Sequence, residues 1–486
     1  MTIKQVAVLG GGVIGAGWVA RLIENGHDVA VFDPAEGAER RLHESLANAD
    51  AAYAKLFTAP RRAKGQVRMA PSVADACRDA DLIVEAVPER LDIKHRVYAE
   101  AESTARPDVL IASSTSGIKP TDLQGPLQHP ERLLVVHPFN PVYLLPVVEI
   151  VGGQQTSEDA IQRAMDFYPT LGMKPVRVRK EIEAFVADRL LESLWREALW
   201  LIKDGICTTQ ELDDIVRYGF GLRWAQLGVF DTYRVAGGEA GMRHFMAQFG
   251  PCLKWPWTKL MDVPEFDDAL VDLIAGQSDA QSGHIPIRQL ERIRDDNLVA
   301  IQKALQATNW GAGELLARHE RALAQDAPEP DWTQPLPTFR VRVPAHWLDY
   351  NGHMTESRYL EAFALGTDGF MRMIGLDAEA IAAGHSLFTA ETHIRHLDEV
   401  SRDQDIAITT QVVEAAVKKV HLWHEMREGT RLLATSEHLL IHMDLNTRAS
   451  AEPPPAVRAR LDHVAEAHTK LPQPDGLGRH VGQRRH

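Results

Sequence analysis

Short apolar runs alternate with helical stretches over the first 182 residues of the chain. Residues 3–9 form an apolar, β-rich run, and residues 28–32 form a second one after a helical stretch that Gly26 interrupts. Four further apolar runs are predicted to be strands: Leu82–Val87, Val109–Ala112, Leu133–Val136 and Val147–Val151. Strands that alternate with helices favour a parallel sheet covered on both faces. Residues 1–182 are therefore predicted to form an α/β domain.

The pattern changes at residue 183, where long amphipathic helices such as residues 184–203 replace the strands, and an all-α domain is predicted to run to residue 324. Residues 325–337 contain four prolines and no periodicity, which is typical of a linker. Beyond it, residues 338–465 are predicted to be an α+β domain. Its expected elements are a strand at 339–343, a helix at 354–375 and alternating strands near 387–396, 404–414, 419–428 and 431–443. Residues 466–486 are predicted to be a mobile tail.

Charge and cysteine content exclude several classes of function. The net charge is −14 and Lys and Arg form no sustained block, which argues against nucleic acid or an anionic membrane as partner. The cysteines Cys77, Cys207 and Cys252 are far apart and in no CxxC spacing, so we expect reduced thiols and no metal site. No apolar run has the length of a membrane span, and the N-terminus has no signal-peptide pattern. We therefore expect a cytoplasmic globular protein.

A glycine-rich turn follows the first predicted strand. It reads Gly10-Gly11-Gly12-Val13-Ile14-Gly15 and leads into a predicted helix. In such a turn the first glycine allows the tight bend, the second lets the backbone approach a pyrophosphate, and the third allows close helix–strand packing. Asp33 ends the second strand eighteen residues after Gly15, where it would bind the ribose hydroxyls of NAD and repel the 2′-phosphate of NADP. The alternative is an ordinary glycine turn with a surface aspartate, but the context predicts a Rossmann-type NAD site.

A histidine follows the predicted strand at residues 133–136. A lone histidine in a loop is usually a surface residue, but His137 is expected at the carboxyl end of the sheet, where open α/β folds bind ligands. Glu149 lies twelve residues further on. A carboxylate bonded to one ring nitrogen fixes the tautomer and leaves the other nitrogen able to take a hydroxyl proton. Together with the glycine turn, this pair predicts hydride transfer at a hydroxyl carbon.

Residues 1–320 resemble the 3-hydroxyacyl-CoA dehydrogenase family, in which a Rossmann domain precedes an all-α dimerisation domain. The matching segments are Val84–Glu89 with Lys94, Ser113–Ser116, His137–Pro141 with Glu149, and Ala187–Leu191. The resemblance implies a homodimer in which His137 is the general acid/base and Glu149 orients it. It also implies that Ser116 hydrogen-bonds the substrate oxygen, and that Glu89 and Lys94 line the nicotinamide-ribose side.

The chain departs from this family at two places. Asp188 stands where the family usually has Asn, and an ionised carboxylate cannot donate a hydrogen bond to a substrate carbonyl. The segment at residues 34–80, which in relatives supplies contacts to CoA, is short. Its Lys and Arg are not gathered into one patch. We therefore expect a small substrate that carries no CoA.

Residues 219–225 resemble the branch of this family that acts on L-carnitine or L-gulonate. Six aromatic residues are predicted near the cleft: Phe139, Tyr143, Trp195, Trp224, Phe230 and Tyr233. Aromatic faces bind quaternary ammonium groups, and Asp188 would add a compensating charge. The alternative for each aromatic is packing between helices. The resemblance implies L-carnitine as substrate, with a short 3-hydroxyacyl-CoA or L-gulonate as alternatives.

A second candidate site lies in the α+β domain, at Asp349-Tyr350-Asn351-Gly352-His353-Met354. By local chemistry alone this segment is a turn before a helix. Residues 338–450, including Glu391–Ile394, nevertheless resemble hot-dog-fold acyl-CoA thioesterases. The resemblance implies that Asp349 is the general base or nucleophile. It also implies that backbone N–H groups near Gly352 polarise the thioester, with Asn351 and His353 in support.

The fusion of the two activities narrows the choice of substrates. In the pathway that the resemblance implies, oxidation of L-carnitine gives 3-dehydrocarnitine, and a separate enzyme converts that product to betainyl-CoA. A thioesterase would then release betaine, whereas oxidation of gulonate leaves a thioesterase without a role. We therefore expect the hot-dog domain to hydrolyse betainyl-CoA. The alternatives are a general acyl-CoA thioesterase or a non-catalytic assembly domain.

Overall fold

The computed structural model describes residues 3–57, 62–236, 245–247, 258–259, 267–325 and 329–479. The chain divides into two compact units, Met1–Ala49 with Lys64–His319, and Asp50–Ala63 with Glu320–His486. Cys252, part of the predicted all-α domain and the last seven residues of the predicted tail lie outside the described residues. Cys77 and Cys207 are free thiols, as the sequence predicts.

The first unit contains an eight-stranded sheet in the order β3-β2-β1-β4-β5-β6-β7-β8. Its strands are β1 (Gln5–Leu9), β2 (Asp28–Phe32), β3 (Val67–Met69), β4 (Leu82–Glu85), β5 (Leu110–Ser113), β6 (Leu133–Pro138), β7 (Val147–Gly152) and β8 (Lys174–Val178). The helices between them are α1 (Val13–Glu24), α2 (Ala38–Leu56), α3 (Val73–Cys77), α4 (Leu91–Glu102), α5 (Pro120–Gln124) and α6 (Glu158–Phe167). The strand order reverses between β1 and β4, which is where Rossmann folds bind dinucleotides.

The sheet differs from the predicted one in the direction of one strand and in its number of strands. β7 runs antiparallel to β6, because residues 139–146 are too few to form the crossover that a parallel pair needs. The pairing sets His137 directly opposite Glu149. The short β3 and the partly exposed β8 were not predicted, since neither is a continuous apolar run.

Helices make up most of the remainder of the first unit. They are α7 (Ala187–Lys203), α8 (Thr209–Ile215), α9 (Gly221–Ala236), α10 (Asp268–Ser282), α11 (Ile287–Ala307) and α12 (Ala312–Gln325), the last of which ends in the second unit. α7 begins three residues later than predicted, because Ala184 and Phe185 have φ values of 59° and 47°, outside the right-handed helical region. Among the described residues, no helix combines the length and apolar character needed to cross a bilayer.

The second unit contains an antiparallel sheet in the order β10-β13-β12-β11-β9, with β14 beside β13. Its strands are β9 (Leu336–Arg342), β10 (His385–His396), β11 (Asp405–Ala415), β12 (Lys419–Glu428), β13 (Arg431–Asp444) and β14 (Ala449–Ser450). Its helices are α13 (Glu356–Met373), α14 (Ala378–Ala382) and α15 (Pro455–His468). α13 packs on this sheet through buried residues such as Phe363 and Phe370. The predicted Rossmann, all-α and hot-dog classes are confirmed.

Two stretches predicted to lack structure contain regular elements or contacts. β9 starts at Leu336, inside the predicted linker, and α15 reaches His468, inside the predicted tail. His468 is buried, and Gln411 Nε2 donates to the Pro472 carbonyl oxygen at 3.3 Å. Residues 469–479 therefore lie against the sheet rather than leaving it.

Two of the buried histidines of the hot-dog unit, His424 and His438, contact the same threonine. His424 Nε2 and His438 Nδ1 lie 3.3 and 3.1 Å from the Thr367 hydroxyl on α13, and His424 Nδ1 lies 2.9 Å from the Thr410 hydroxyl. Burial lowers the pKa of His438 to about 4 and holds that of His424 well below the ordinary value. Both rings are therefore neutral at physiological pH.

We expect this unit to lose stability in acid. Because the folded pKa of His438 lies below its unfolded value of 6.5, its contribution is complete above that value and falls as the pH drops toward 4. Between pH 8 and pH 5 the loss from His438 is about 2 kcal/mol. Urea unfolding at the two pH values measures it. His438→Leu should show a smaller difference, and an unchanged difference would contradict the assignment.

Candidate active sites

The glycine turn places three glycines in different environments. Gly10 has a φ of +99°, and a Cβ there would lie 2.4 Å from the Ala86 carbonyl oxygen. A Cβ on Gly15 would lie 1.8 Å from the Gly10 carbonyl oxygen, whereas nothing lies within 4 Å of the Cβ position of Gly12. The first and third glycines are thus required by packing, and the second leaves the backbone open to a ligand. No side chain caps the first turn of α1, and a helix N-terminus of this kind suits a pyrophosphate.

Asp33 holds the glycine turn in place. Its Oδ2 accepts the N–H of Gly11 at 2.7 Å, and its Oδ1 accepts the N–H of Ala35 at 2.8 Å. A carboxylate has about four lone-pair positions, so both oxygens can still accept a hydroxyl. The residues present therefore fit a dinucleotide whose ribose binds at Asp33.

Lys94 on α4 and Glu89, between β4 and α4, form a charged pair. Lys94 Nζ lies 2.8 Å from Glu85 Oε1 and 3.2 Å from Glu89 Oε2. Glu89 also accepts the Thr115 hydroxyl and the backbone N–H groups of Ser116 and Gly117. Burial raises the pKa of Glu89. The Thr115 hydrogen bond and the Lys94 charge outweigh burial and keep that pKa below its ordinary value. Ser116 therefore lies beside Glu89.

Glu85, which the sequence analysis did not single out, binds the Lys94 ammonium group. It is fully buried, and its Oε2 accepts the Tyr98 hydroxyl at 2.5 Å and the Ser113 hydroxyl at 2.6 Å. With Oε1 bound to Lys94, the carboxylate fixes the ammonium group of a lysine that is itself only 1% exposed. The available signal was a charged residue that ends an otherwise apolar strand.

His137 and Glu149 form the predicted pair. Nδ1 of His137 lies 2.8 Å from Glu149 Oε2, and both residues are buried. The other oxygen of Glu149 accepts the N–H groups of Val186 and Ala187 at 3.0 and 3.1 Å. Glu149 thus fixes the tautomer of His137 and also binds the start of α7. Because Nδ1 carries the shared proton, Nε2 is the nitrogen able to accept another.

Glu149→Gln is expected to lower kcat of the dehydrogenase by about tenfold to a hundredfold, since an amide –NH₂ facing Nδ1 favours the wrong tautomer. Its carbonyl oxygen can still accept the backbone N–H groups of α7, so the fold should survive. Steady-state kinetics with NAD, together with circular dichroism, measure both effects. Wild-type kcat in a folded variant would remove Glu149 from this role.

Asp188 is the second residue of α7, and its Oδ2 lies 3.7 Å from Nε2 of His137. Burial raises the pKa of Asp188, and the neighbouring carboxylates of Glu149, Glu192 and Glu89 raise it further, whereas His137 lowers it. The ring of Phe139 lies 5.2 Å and that of Phe185 5.6 Å from the imidazole of His137. Phe185 was not identified from the sequence.

The other predicted aromatics make different contacts. The Tyr143 hydroxyl donates to Asp295 on α11 at 2.5 Å. Trp224 packs against Phe220 with centroids 4.6 Å apart, and Tyr233 stacks on Phe245. Trp195, which is 53% exposed, lies on α7 seven residues after Asp188, and Phe230 on α9 is also exposed. In the described part of the chain, Phe139 is therefore the predicted aromatic in ring contact with His137.

The hot-dog candidate site is a tight turn before α13. Oδ1 of Asp349 accepts the N–H groups of Asn351 and His353 at 2.8 and 3.3 Å, and Asn351 Nδ2 lies 3.4 Å from Oδ2. Burial raises the pKa of Asp349, but these hydrogen bonds lower it by more. The carboxylate therefore stays ionised. His353 Nε2 lies 3.4 Å from Glu399, and Tyr350 is 97% exposed. Asp349 and its two supporting candidates are thus brought together.

One detail of this turn differs from the expectation. The N–H of Gly352 donates to the Asp349 carbonyl oxygen at 3.1 Å, because Gly352 closes the turn with a φ of +82°. α13 begins only at Glu356. The Gly352 N–H is therefore not available to polarise a thioester carbonyl in this conformation.

Family models match three parts of the chain. Residues 5–182 match the NAD binding domain of 3-hydroxyacyl-CoA dehydrogenase, and residues 185–263 match the C-terminal domain of the same family. Residues 343–461 match the thioesterase-like superfamily. These matches indicate an NAD(H)-using dehydrogenase joined to a thioesterase-like domain.

Full-length relatives carry the same fusion. The L-carnitine dehydrogenase/betainyl-CoA thioesterase of Ruegeria pomeroyi is 55% identical, over 97% of this chain and 98% of its own. The L-carnitine dehydrogenase of Mesorhizobium japonicum is 63% identical, over 66% of this chain and 90% of its own. A crystal structure of 5-formyl-3-hydroxy-2-methylpyridine 4-carboxylic acid 5-dehydrogenase, an NAD⁺-dependent dismutase, is 29% identical with a TM-score of 0.53, over 63% of this chain and 99% of that one.

Proposed function

Because the chain belongs to the family of fused L-carnitine dehydrogenases/betainyl-CoA thioesterases, we propose that it catalyses both reactions. The first unit oxidises L-carnitine to 3-dehydrocarnitine with NAD, and the hot-dog unit hydrolyses betainyl-CoA to betaine and CoA. The observation that carries the first activity is the buried His137–Glu149 pair, which lies in the same sheet as the strand that leads into the glycine turn. The observation that carries the second activity is the turn at Asp349, in which Oδ1 holds two backbone N–H groups and Oδ2 has only a 3.4 Å contact with Asn351.

In the oxidation, the glycine turn and Asp33 would hold NAD, which would supply the acceptor for the hydride of C3 of L-carnitine. His137 Nε2 removes the proton of the C3 hydroxyl, and Glu149 stabilises the imidazolium that forms. Glu89 and Lys94 bind the nicotinamide-ribose side, and Ser116 hydrogen-bonds the substrate oxygen. Asp33 binds the adenosine ribose and repels a 2′-phosphate, which favours NAD over NADP.

In the hydrolysis, Asp349 acts as base toward water or as nucleophile toward the thioester. Its Oδ1 holds two backbone N–H groups, whereas Oδ2 has only the 3.4 Å contact with Asn351. We therefore assign the reaction to Oδ2. Asn351 and His353 position the carboxylate, and the two units react independently because each active site lies within one compact unit.

We further propose a cytoplasmic homodimer that assembles through the helical part of the first unit. Large apolar side chains are exposed on α7 and α9: Leu190, Leu191, Trp195, Leu222 and Phe230. Such a surface is typical of a subunit interface. Free Cys77 and Cys207 suit a reducing compartment.

A comparison of four substrates tests the proposed dehydrogenase activity. NADH formation is followed with L-carnitine, D-carnitine, L-gulonate and 3-hydroxybutyryl-CoA at matched concentrations. We expect a strong preference for L-carnitine. A preference for the CoA ester would contradict the proposed substrate and make the C-terminal unit a general acyl-CoA thioesterase.

A further inference from the structure

We propose that Asp188 determines the substrate specificity of the dehydrogenase by pairing with the quaternary ammonium group of the substrate. This inference rests on the proposed oxidation of a cationic 3-hydroxy acid. It assigns to one carboxylate the discrimination between that ammonium group and a neutral group of the same shape.

The position of Asp188 relative to the reacting atoms follows from the hydrogen bonds of His137. Nδ1 is bound to Glu149, so the reacting hydroxyl must lie at Nε2. The Oδ2 of Asp188 lies 3.7 Å from that nitrogen. In L-carnitine a single methylene separates C3 from the ammonium nitrogen, a span of roughly 2.5 Å. When the hydroxyl binds at Nε2, the cation is therefore within reach of Asp188.

Among the described residues, His137 is the one polar contact of the Asp188 side chain. In that part of the chain, this carboxylate accepts no hydrogen bond, and its one ion pair is with His137. By contrast, Glu149 holds three donors and Glu89 holds Lys94. A partly buried carboxylate of this kind is costly unless a cation pairs with it. The side chain of Asp188 is 24% exposed, so a ligand can reach it.

The chemistry of the ligand matches these surroundings. A trimethylammonium group has no N–H to donate, so it is recognised by opposite charge and by aromatic faces. Asp188 supplies the charge, and the ring of Phe139 lies against the same histidine. The carboxylates of Glu149, Glu192 and Glu89 add to the negative charge around Asp188, which favours a cationic ligand.

A competing explanation is that Asp188 acts only through His137, as a second carboxylate that stabilises the imidazolium. The two explanations differ for a substrate in which a neutral group replaces the ammonium group. In 3-hydroxy-5,5-dimethylhexanoate a tert-butyl group replaces the trimethylammonium group while the hydroxyl and carboxylate remain. A residue that acts through His137 affects both substrates, whereas a partner of the cation affects L-carnitine alone.

The test compares kcat/KM for these two substrates in the wild type and in Asp188→Asn. We expect the variant to lose about 10²-fold for L-carnitine, mainly through KM, with little change for the neutral isostere. Asp188→Glu, which keeps the charge, should recover part of the loss. Glu197→Gln, which removes a charge more than two turns further along α7 and keeps an oxygen for the Lys259 N–H, is the matched control and should change neither value. NAD titration verifies that each variant is folded.

Three results would overturn the inference. An equal loss of kcat/KM for both substrates assigns Asp188 to His137, and an unchanged kcat/KM for L-carnitine removes Asp188 from specificity. In either case the wild type still oxidises L-carnitine, so the proposed function stands. If the wild type oxidises the neutral isostere and not L-carnitine, the proposed function and this inference fail together.

Discussion

Replacing His137 by glutamine is expected to lower kcat for L-carnitine oxidation by about 10²–10⁴-fold, the range that a general base contributes. Glutamine fills much of the same volume, but its amide cannot take a proton from the substrate hydroxyl. The imidazole has its Nδ1 bonded to Glu149, and its Nε2 lies 3.7 Å from Asp188 with no hydrogen bond between described residues. The loss should therefore appear in kcat rather than in the binding of NAD.

Steady-state NADH formation gives kcat, and quenching of protein fluorescence by NADH gives the affinity for the cofactor. His129→Gln is a matched control, since that histidine is partly exposed on a turn at the opposite, amino-terminal end of β6. It should leave both values unchanged. A His137→Gln enzyme with wild-type kcat would show that another group moves the proton.

Asp349→Asn is expected to lower the rate of betainyl-CoA hydrolysis by at least about 10²-fold and to leave dehydrogenation unchanged. Asparagine can still accept the N–H groups of Asn351 and His353 through its carbonyl oxygen, so the turn is preserved. What it loses is the ionised oxygen that acts on water or on the thioester. Release of the CoA thiol measures the reaction.

Asp444 offers a control with the same geometry in the same unit. Its Oδ1 accepts the N–H groups of Asn446 and Thr447 at 2.8 and 3.3 Å, and hydrogen bonds keep its pKa low as well. Asp444→Asn should retain both activities. Equal loss in the two variants would trace the effect to the fold of the hot-dog unit, and retained hydrolysis in Asp349→Asn would exclude Asp349.

Local spacing explains which parts of the site could be predicted. The glycine turn and Asp33 are encoded within about thirty residues of chain, because a tight turn, a helix and a strand end must follow in that order. The closeness of His137 and Glu149 has a different origin. It depends on the antiparallel register of β6 and β7, which apolar runs alone do not reveal.

Residues that act through long-range contacts were missed for the same reason. Glu85 meets Tyr98 and Ser113 only after three elements have packed together. Phe185 reaches His137 because positive φ values delay the start of α7, and no pattern of apolar residues predicts them. The buried His424 and His438 lie on strands whose alternation alone does not distinguish a polar core position from an exposed one.

The most direct test of the central claim is to assay both activities across a single size-exclusion peak of the full-length protein. If one chain carries both reactions, NADH formation with L-carnitine and CoA release from betainyl-CoA will follow the protein profile at a constant ratio. L-carnitine oxidation without hydrolysis of betainyl-CoA would contradict the account and leave the hot-dog unit as an assembly domain.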